Sequence, residues 1–300
     1  MDSRGSVGFS VKLCAFFQQQ SRFLGHHVRD GFGLPASEFT MLYALYEVED
    51  PIPIEALARF LMLKTRTVRK SLLALEDRGL VEKSCDERDR RTALCRLTPS
   101  GRCLTREVVE SWFAAHELLT QRYLPSSDLE QTLRPSMRVC VNRIRGCEVA
   151  PFGTEPKTTL APMAVDHPIF WRAMTDAWTG MVHEGCGLSL NELCVLLSLE
   201  ERGAQTPTQL ATAMLQPLSA VSLCKKSLVD KGLAEVAECG LDGRITPLAC
   251  TREGARVARR VGGKLDDFTA WAHGCATEEQ MEVIVAWYSR MFINVWRSGQ

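Results

Sequence analysis

The sequence predicts a mainly α-helical protein with small β-wings, built from two tandem copies of one domain pattern. Three observations carry that expectation. Ala36–Lys83 and Leu190–Val236 match along their length: Glu38 falls on Glu192 and, after a one-residue slip, Leu57 on Leu210, Val68 on Val221, Leu75 on Leu228 and Gly79 on Gly232. Such self-similarity at a single offset indicates a repeated structural unit. Apolar residues recur at three-to-four spacing through both copies, which is the period of an amphipathic helix. After a glycine, each copy then turns to short β-like runs around a polar turn, a hairpin pattern.

In chain order, a first long helix is expected over about Ser10 to Val28, and its counterpart over His167 to His183. A second helix starts at Ser37, or at Ser189 in the second copy. A short helix follows, with Ile54, Leu57, Ala58 and Leu61 on one face, matched by Leu210, Ala211 and Met214. The next helix runs from about Thr65 to Arg78 and ends at Gly79, a C-cap glycine. "LVEKSC" and "TALCRLT" then flank a charged turn, and the register persists through it: Asp89 falls on Asp242, Arg91 on Arg244, Thr98 on Thr251 and Gly101 on Gly254. Each copy closes with two more helices, the first capped by Thr98 or Ser100, the last by a Thr277/Gln280 capping box. Met281, Ile284, Tyr288, Met291 and Val295 share one face of that last helix. Between the copies, "CEVAPFGTEPKTTLAPM" carries three prolines and little periodicity. The expected domains are therefore 1–147 and 164–300, joined by a linker over 148–163.

A chain of 300 residues with 45% hydrophobic and 24% charged residues suits two globular domains and excludes wholesale disorder. No apolar run approaches the roughly 18 residues of a membrane helix, so a cytoplasmic protein without membrane contact is expected. The twelve cysteines are scattered, without a Cys-x-x-Cys pair or a zinc-finger spacing, and read as buried thiols. Neither a glycine-rich phosphate loop nor a nucleophile elbow is present, which argues against an enzyme, and no cofactor or metal is implied.

Helix, short helix, helix and hairpin together make a winged helix-turn-helix, in which the third of these helices enters the major groove of double-stranded DNA and the hairpin reaches the neighbouring minor groove. The arginines of "CDERDRRTALCRLTPSG" then have a purpose, because guanidinium groups suit the negative potential of a narrow minor groove. Asp89 is expected to hold the Arg91 side chain by a fork-shaped hydrogen-bonded pair, and Asp242 to hold Arg244 likewise. Thr65, Arg66, Thr67, Arg69 and Lys70 offer donors to base edges and phosphates, joined by Arg88 and Arg90 from the wing. In the second copy Ser219 and Ser222 stand where Arg66 and Arg69 stand in the first.

The stretch "DERDRRTALCRLTPSG", with its Asp-x-Arg element and Leu-Thr-x-x-Gly exit, and the preceding "LLALEDRGLVEK" resemble the MarR family of bacterial transcription regulators. The resemblance covers about Leu34 to Arg102 strongly, and Leu188 to Gly254 weakly. It implies a pair of winged domains whose terminal helices intertwine, here fused on one chain as a monomeric pseudo-dimer. It also implies a small aromatic or phenolic effector, with Phe17, Tyr43, Tyr46, Trp112, His116 and Trp178 as candidate contacts and Phe23, Trp171 and Trp271 beside them. Cys14, in the first helix, is reminiscent of the peroxide-sensing branch of that family, but this helix lacks tyrosines. Metal sensing by His26 and His27 is disfavoured, because adjacent helical residues point apart.

The copies differ electrically. Lys64 to Arg102 carries eleven basic residues against six acids, whereas Pro217 to Ala255 carries five against five. Phosphate neutralisation supplies most non-specific affinity for DNA, so the first copy is expected to dominate an asymmetric site. The rival expectation is an interaction module, or a redox-sensing regulator of the same fold, that has weakened or lost DNA binding.

Overall fold

The computed structural model describes residues 7–48, 50–61, 63–120, 136–137, 139–144, 146, 163–237, 246–274, 276–282, 284–286 and 288. It is mainly helical and divides into two compact units, Gln20–Ala173 and Met1–Gln19 together with Met174–Gln300. The division falls inside α1 (Val11–Phe32) and α6 (Met163–Cys186).

Within Gln20–Ala173, α1 is followed by α2 (Ala36–Tyr46), β1 (Ile52–Pro53), α3 (Ile54–Phe60), α4 (Thr65–Asp77), β2 (Val81–Cys85), β3 (Ala93–Leu97) and α5 (Pro99–Thr120). Phe39 through Leu45 are all buried along α2, so this helix is enclosed on every side and forms the centre of the unit. By contrast α4 buries a single stripe, Val68, Leu72 and Leu75, and leaves the opposite face open. Gly79 ends it at φ +68°, a conformation that costs a residue without a Cβ nothing. The Leu80 N–H then returns to the Leu75 carbonyl at 2.9 Å.

The hairpin pairs Val81 with Leu97 through to Cys85 with Ala93. The expected two strands are in fact three, in the order β1-β3-β2, because Ile52 pairs with Cys95 on the free edge of β3. Pro53 is tolerated there because β1 is an edge strand. Thr98 locks the hairpin to the end of α4. Its N–H donates to the Leu80 carbonyl at 3.1 Å, its hydroxyl donates to the Gly79 carbonyl at 2.7 Å, and its Oγ1 accepts the Gly101 N–H at 3.0 Å. Thr98, not Ser100, is thus the capping residue. A Cβ on Gly101 would lie 1.9 Å from the Leu80 carbonyl oxygen, which is why glycine stands there.

The second unit contains the later part of α6, then α7 (Leu190–Arg202), α8 (Pro207–Met214), α9 (Leu218–Asp230), β4 (Ala234–Val236), β5 (Leu248–Cys250) and α10 (Arg252–His273). Its hairpin exit is bonded like that of the first unit. Gly232 has φ +66°, the Thr251 hydroxyl donates to the Gly232 carbonyl at 3.0 Å, and Thr251 Oγ1 accepts the Gly254 N–H at 3.0 Å. A Cβ on Gly254 would also lie 1.9 Å from a carbonyl oxygen, that of Leu233. Gln205, bridged to Leu248, occupies the place of β1.

The core of this unit is completed by the chain's first residues. Phe17 stacks on Trp178 with ring centres 5.5 Å apart, Phe9 meets the same indole edge-on at 5.0 Å, and Trp178 Nε1–H donates to Thr269 Oγ1 at 3.0 Å. Gln18 Nε2 donates to Asn191 Oδ1 at 3.1 Å, and the Phe9 N–H to Asp266 Oδ1 at 2.9 Å.

Several expected boundaries shift. The second helix begins at Ala36 without a side-chain cap rather than at Ser37, whereas Ser189 caps α7 in a full capping box with Glu192. The Met163 start of α6 is the last residue of the expected linker, and 147–162 lie outside the described residues. Thr277 and Gln280 do form a capping box, and Met281, Ile284 and Tyr288 are buried, while Met291 and Val295 lie outside the described residues. Among the described residues, no helix is long and apolar enough to cross a membrane.

Candidate nucleic-acid interface

The open face of α4 presents polar and charged side chains to solvent. Its buried stripe fixes the rotation of the helix, so Arg66, Thr67, Arg69 and Lys70 are all exposed, and Thr65 is half-buried at the first turn. Arg69 Nη2 donates to Glu55 Oε1, on α3, at 2.8 Å. This hydrogen bond with Arg69 holds the Glu55 carboxyl below the usual carboxylate range. Sequence reasoning missed Glu55; the available signal was an acid in the first turn of the short helix that packs on α4. Leu73 is 53% exposed on α4.

Arg88, Asp89, Arg90 and Arg91 lie exposed in the turn between β2 and β3. Asp89 does not fork onto the Arg91 side chain as expected. Its Oδ1 accepts the Arg91 backbone N–H at 3.0 Å and its Oδ2 accepts the Thr92 hydroxyl at 3.0 Å, while the Thr92 N–H reaches the Asp89 carbonyl at 2.8 Å. An aspartate side chain finds the amide two residues on more readily than a long, flexible guanidinium, because the amide is already fixed by the chain. Asp86 does the same for the Arg88 N–H at 2.8 Å. The acids therefore shape the turn, and the arginine side chains stay outside it. Asp242 and Arg244 lie outside the described residues.

On α9 the positions that the sequence alignment sets opposite those of α4 carry different side chains. Ser219 and Ser222 are exposed, but the Ser222 hydroxyl donates back to the Leu218 carbonyl at 2.9 Å. Leu218 and Leu223, where the first copy has Thr65 and Lys70, are 51% and 72% exposed. Glu192 joins α7 to α9: its carboxylate accepts from the Ser189 N–H at 2.6 Å, from the Ser227 hydroxyl, and from Lys231 Nζ at 2.9 Å. Burial pushes its pKa up, but those donors outweigh it and hold the group down to about 2.

The aromatic candidates separate into different settings. Phe17 and Trp178 are fully buried against each other. The buried Tyr43 hydroxyl donates to Glu47 Oε1 at 2.8 Å, and the Arg102 guanidinium lies over the Tyr46 ring at 5.6 Å. Trp112 is buried beside Phe23 and His27, and His27 Nε2 lies 3.1 Å from Ser111 Oγ. Burial holds the His27 pKa below its usual value. The His116 side chain lies outside the described residues, Trp171 is buried and Trp271 is 45% exposed. A cleft of about 610 Å³ in the second unit is lined by Lys12, Arg202, Ala204, Gln205, Gln209 and Ala213 among others, with no aromatic candidate among its described lining. Cys14 is buried against Cys194, and the contact with Cys14, followed by burial, raises the Cys194 pKa. Among the described residues, no group of three or more His, Cys, Asp or Glu could hold a metal ion.

The MarR family model matches residues 34–93. Among solved structures, the chain is similar to the transcriptional regulator BldR from Sulfolobus solfataricus, at 21% identity over 39% of this chain and 83% of that one, with a TM-score of 0.35. It is also similar to a MarR family regulator from Silicibacter pomeroyi, at 22% identity over 44% and 88%, with a TM-score of 0.37. A MepR mutant from S. aureus, bound to an oligodeoxyribonucleotide, matches at 23% identity over 38% and 82%, with a TM-score of 0.31. Comparison with curated proteins gave no match. The match takes in α2, α3, α4 and β2 and reaches the first residue of β3, the elements that carry the open cationic face. The stretch from residue 34 to residue 93 is a MarR family domain.

Proposed function

We propose that this protein is a sequence-specific DNA-binding transcription regulator made of two tandem winged helix-turn-helix domains, 1–147 and 164–300, on either side of a linker. The observation that carries this reading is the set of five exposed cations on one winged domain: Arg66 and Lys70 on α4, with Arg88, Arg90 and Arg91 on the wing. A helix bearing donors fits the major groove, and a slim arginine-tipped turn fits the minor groove beside it. The first copy grips more strongly, because its span has an excess of five positive charges where the second has none.

A gel shift on the gene's own upstream DNA across a salt series tests this. Binding should weaken steeply with salt, and Arg66→Ala and Arg91→Ala should each weaken it; salt-insensitive binding, or none, would sink the reading. Footprinting tests the asymmetry, since protection of two equal inverted half-sites would contradict it. The terminal helices of the two copies pair intramolecularly in this reading, so light scattering should report the mass of one chain. A small-molecule effector remains part of the proposal, and release of the DNA by a phenolic compound in the same gel shift is its test. The exposed Leu218 and Leu223 favour a second reading for the second copy alone, a protein contact in place of a DNA contact. Unchanged footprints after Leu223→Ser would support it.

A further inference from the structure

We infer that Glu55 is a positioning residue that makes Arg69 a reader of a guanine edge rather than a phosphate anchor, an inference that rests on the DNA-binding reading above. Arg69 stands on the open face of α4, and its Nη2 is joined to Glu55 Oε1 at 2.8 Å from the first turn of α3. The side chains are 56% and 48% exposed, so the fold does not need this pair for its core. Arg66 and Lys70, exposed on the same helix, have no acidic partner among the described residues. One cation on this surface is thus tied to an acid while its neighbours are left open.

That difference selects a ligand. A phosphate approaching Arg69 would be brought up against the Glu55 carboxylate, and two anions sharing one guanidinium repel each other. A guanine edge offers neutral acceptors, O6 and N7, and meets no such repulsion. The guanidinium has five N–H donors, so one given to Glu55 leaves a parallel pair for the base. Fixing the plane of the guanidinium also lowers the ordering cost of that contact. Arg66 and Lys70 carry no such restriction and serve the backbone.

The test uses the full chain as wild type, Glu55→Gln, Arg69→Ala and the double variant. Each is used to select from a randomised duplex pool that is then sequenced, and each is titrated with salt on mixed-sequence genomic DNA. Wild type should select a guanine at a position where Arg69→Ala relaxes the preference by about fivefold or more. Arg69→Ala should leave the salt slope on mixed DNA unchanged. Glu55→Gln should weaken the same guanine preference and steepen the salt slope by about 0.9, the signature of one added phosphate contact. Both effects should vanish in the Arg69→Ala background. A slope that becomes shallower by about 0.9 in Arg69→Ala with the base profile intact would make Arg69 a phosphate anchor and overturn the inference. So would a Glu55→Gln variant that matches wild type in both measurements. Either result leaves DNA binding standing, whereas wild type without salt-dependent binding removes the DNA-binding reading and this inference together.

Discussion

At the scale of single residues, the wing depends on where a short carboxylate finds its donors. Asp89 binds the Arg91 amide and the Thr92 hydroxyl, so its work is to shape the turn. Asp89→Ala should therefore speed hydrogen exchange at the Arg91 amide and weaken DNA binding, at about 1 kcal/mol for each hydrogen bond lost. Asp89→Asn keeps an acceptor in the same place and should leave the amide protected; exchange as fast as in Asp89→Ala would show that the charge, not the turn, matters. Gly101 is a second such point. Gly101→Ala forces a methyl carbon onto the Leu80 carbonyl, and a shift in the denaturation midpoint corresponding to about 1–3 kcal/mol is expected. Composition could reveal neither role, because an aspartate beside an arginine looks the same whether it binds the side chain or the backbone.

At the scale of elements, the helices were legible and their partners were not. The stripe of Val68, Leu72 and Leu75 marks α4 in the sequence, and Val221 and Leu228 mark α9, because amphipathic periodicity is a property of one segment. The strand β1 left no signal. It is two residues long, one of them proline, and exists because β3 offers it a free edge. Glu192 gives the element scale its pH dependence. Its pKa is depressed in the folded state, so its contribution to stability is complete above the unfolded value of about 4.5 and is lost as pH falls toward about 2. On the order of 3 kcal/mol is at stake. Burial lowers the His273 pKa to about 4, which adds destabilisation in the same direction as pH falls below about 6.5. Acid titration of the folded chain should unfold this unit over that range, and Glu192→Gln should flatten the part below pH 4.5. The corresponding pair in the other unit, Glu38 with Arg78, is longer, at 3.5 Å against 2.9 Å.

At the scale of the whole molecule, the first compact unit holds Gln20–Ala173 and the second holds Met1–Gln19 with Met174–Gln300. Phe17 lies early in the sequence, and its ring stacks on Trp178 in the unit that contains Met174–Gln300. Periodicity could identify Phe17 as buried but could not say against which part of the chain. Phe17→Ala should cost about 3–5 kcal/mol, and the loss should appear as earlier thermal unfolding of the unit containing Met174–Gln300. Earlier unfolding of Gln20–Ala173 instead would contradict the assignment of that ring. The arrangement also sets an order of events during synthesis. A ribosome adding roughly 5–20 residues per second takes on the order of ten to thirty seconds between Gln19 and Met174. Through that interval the apolar face of Phe9, Phe16 and Phe17 has been made but its binding site has not, so the nascent chain carries an uncovered aromatic segment for which holdase chaperones would compete.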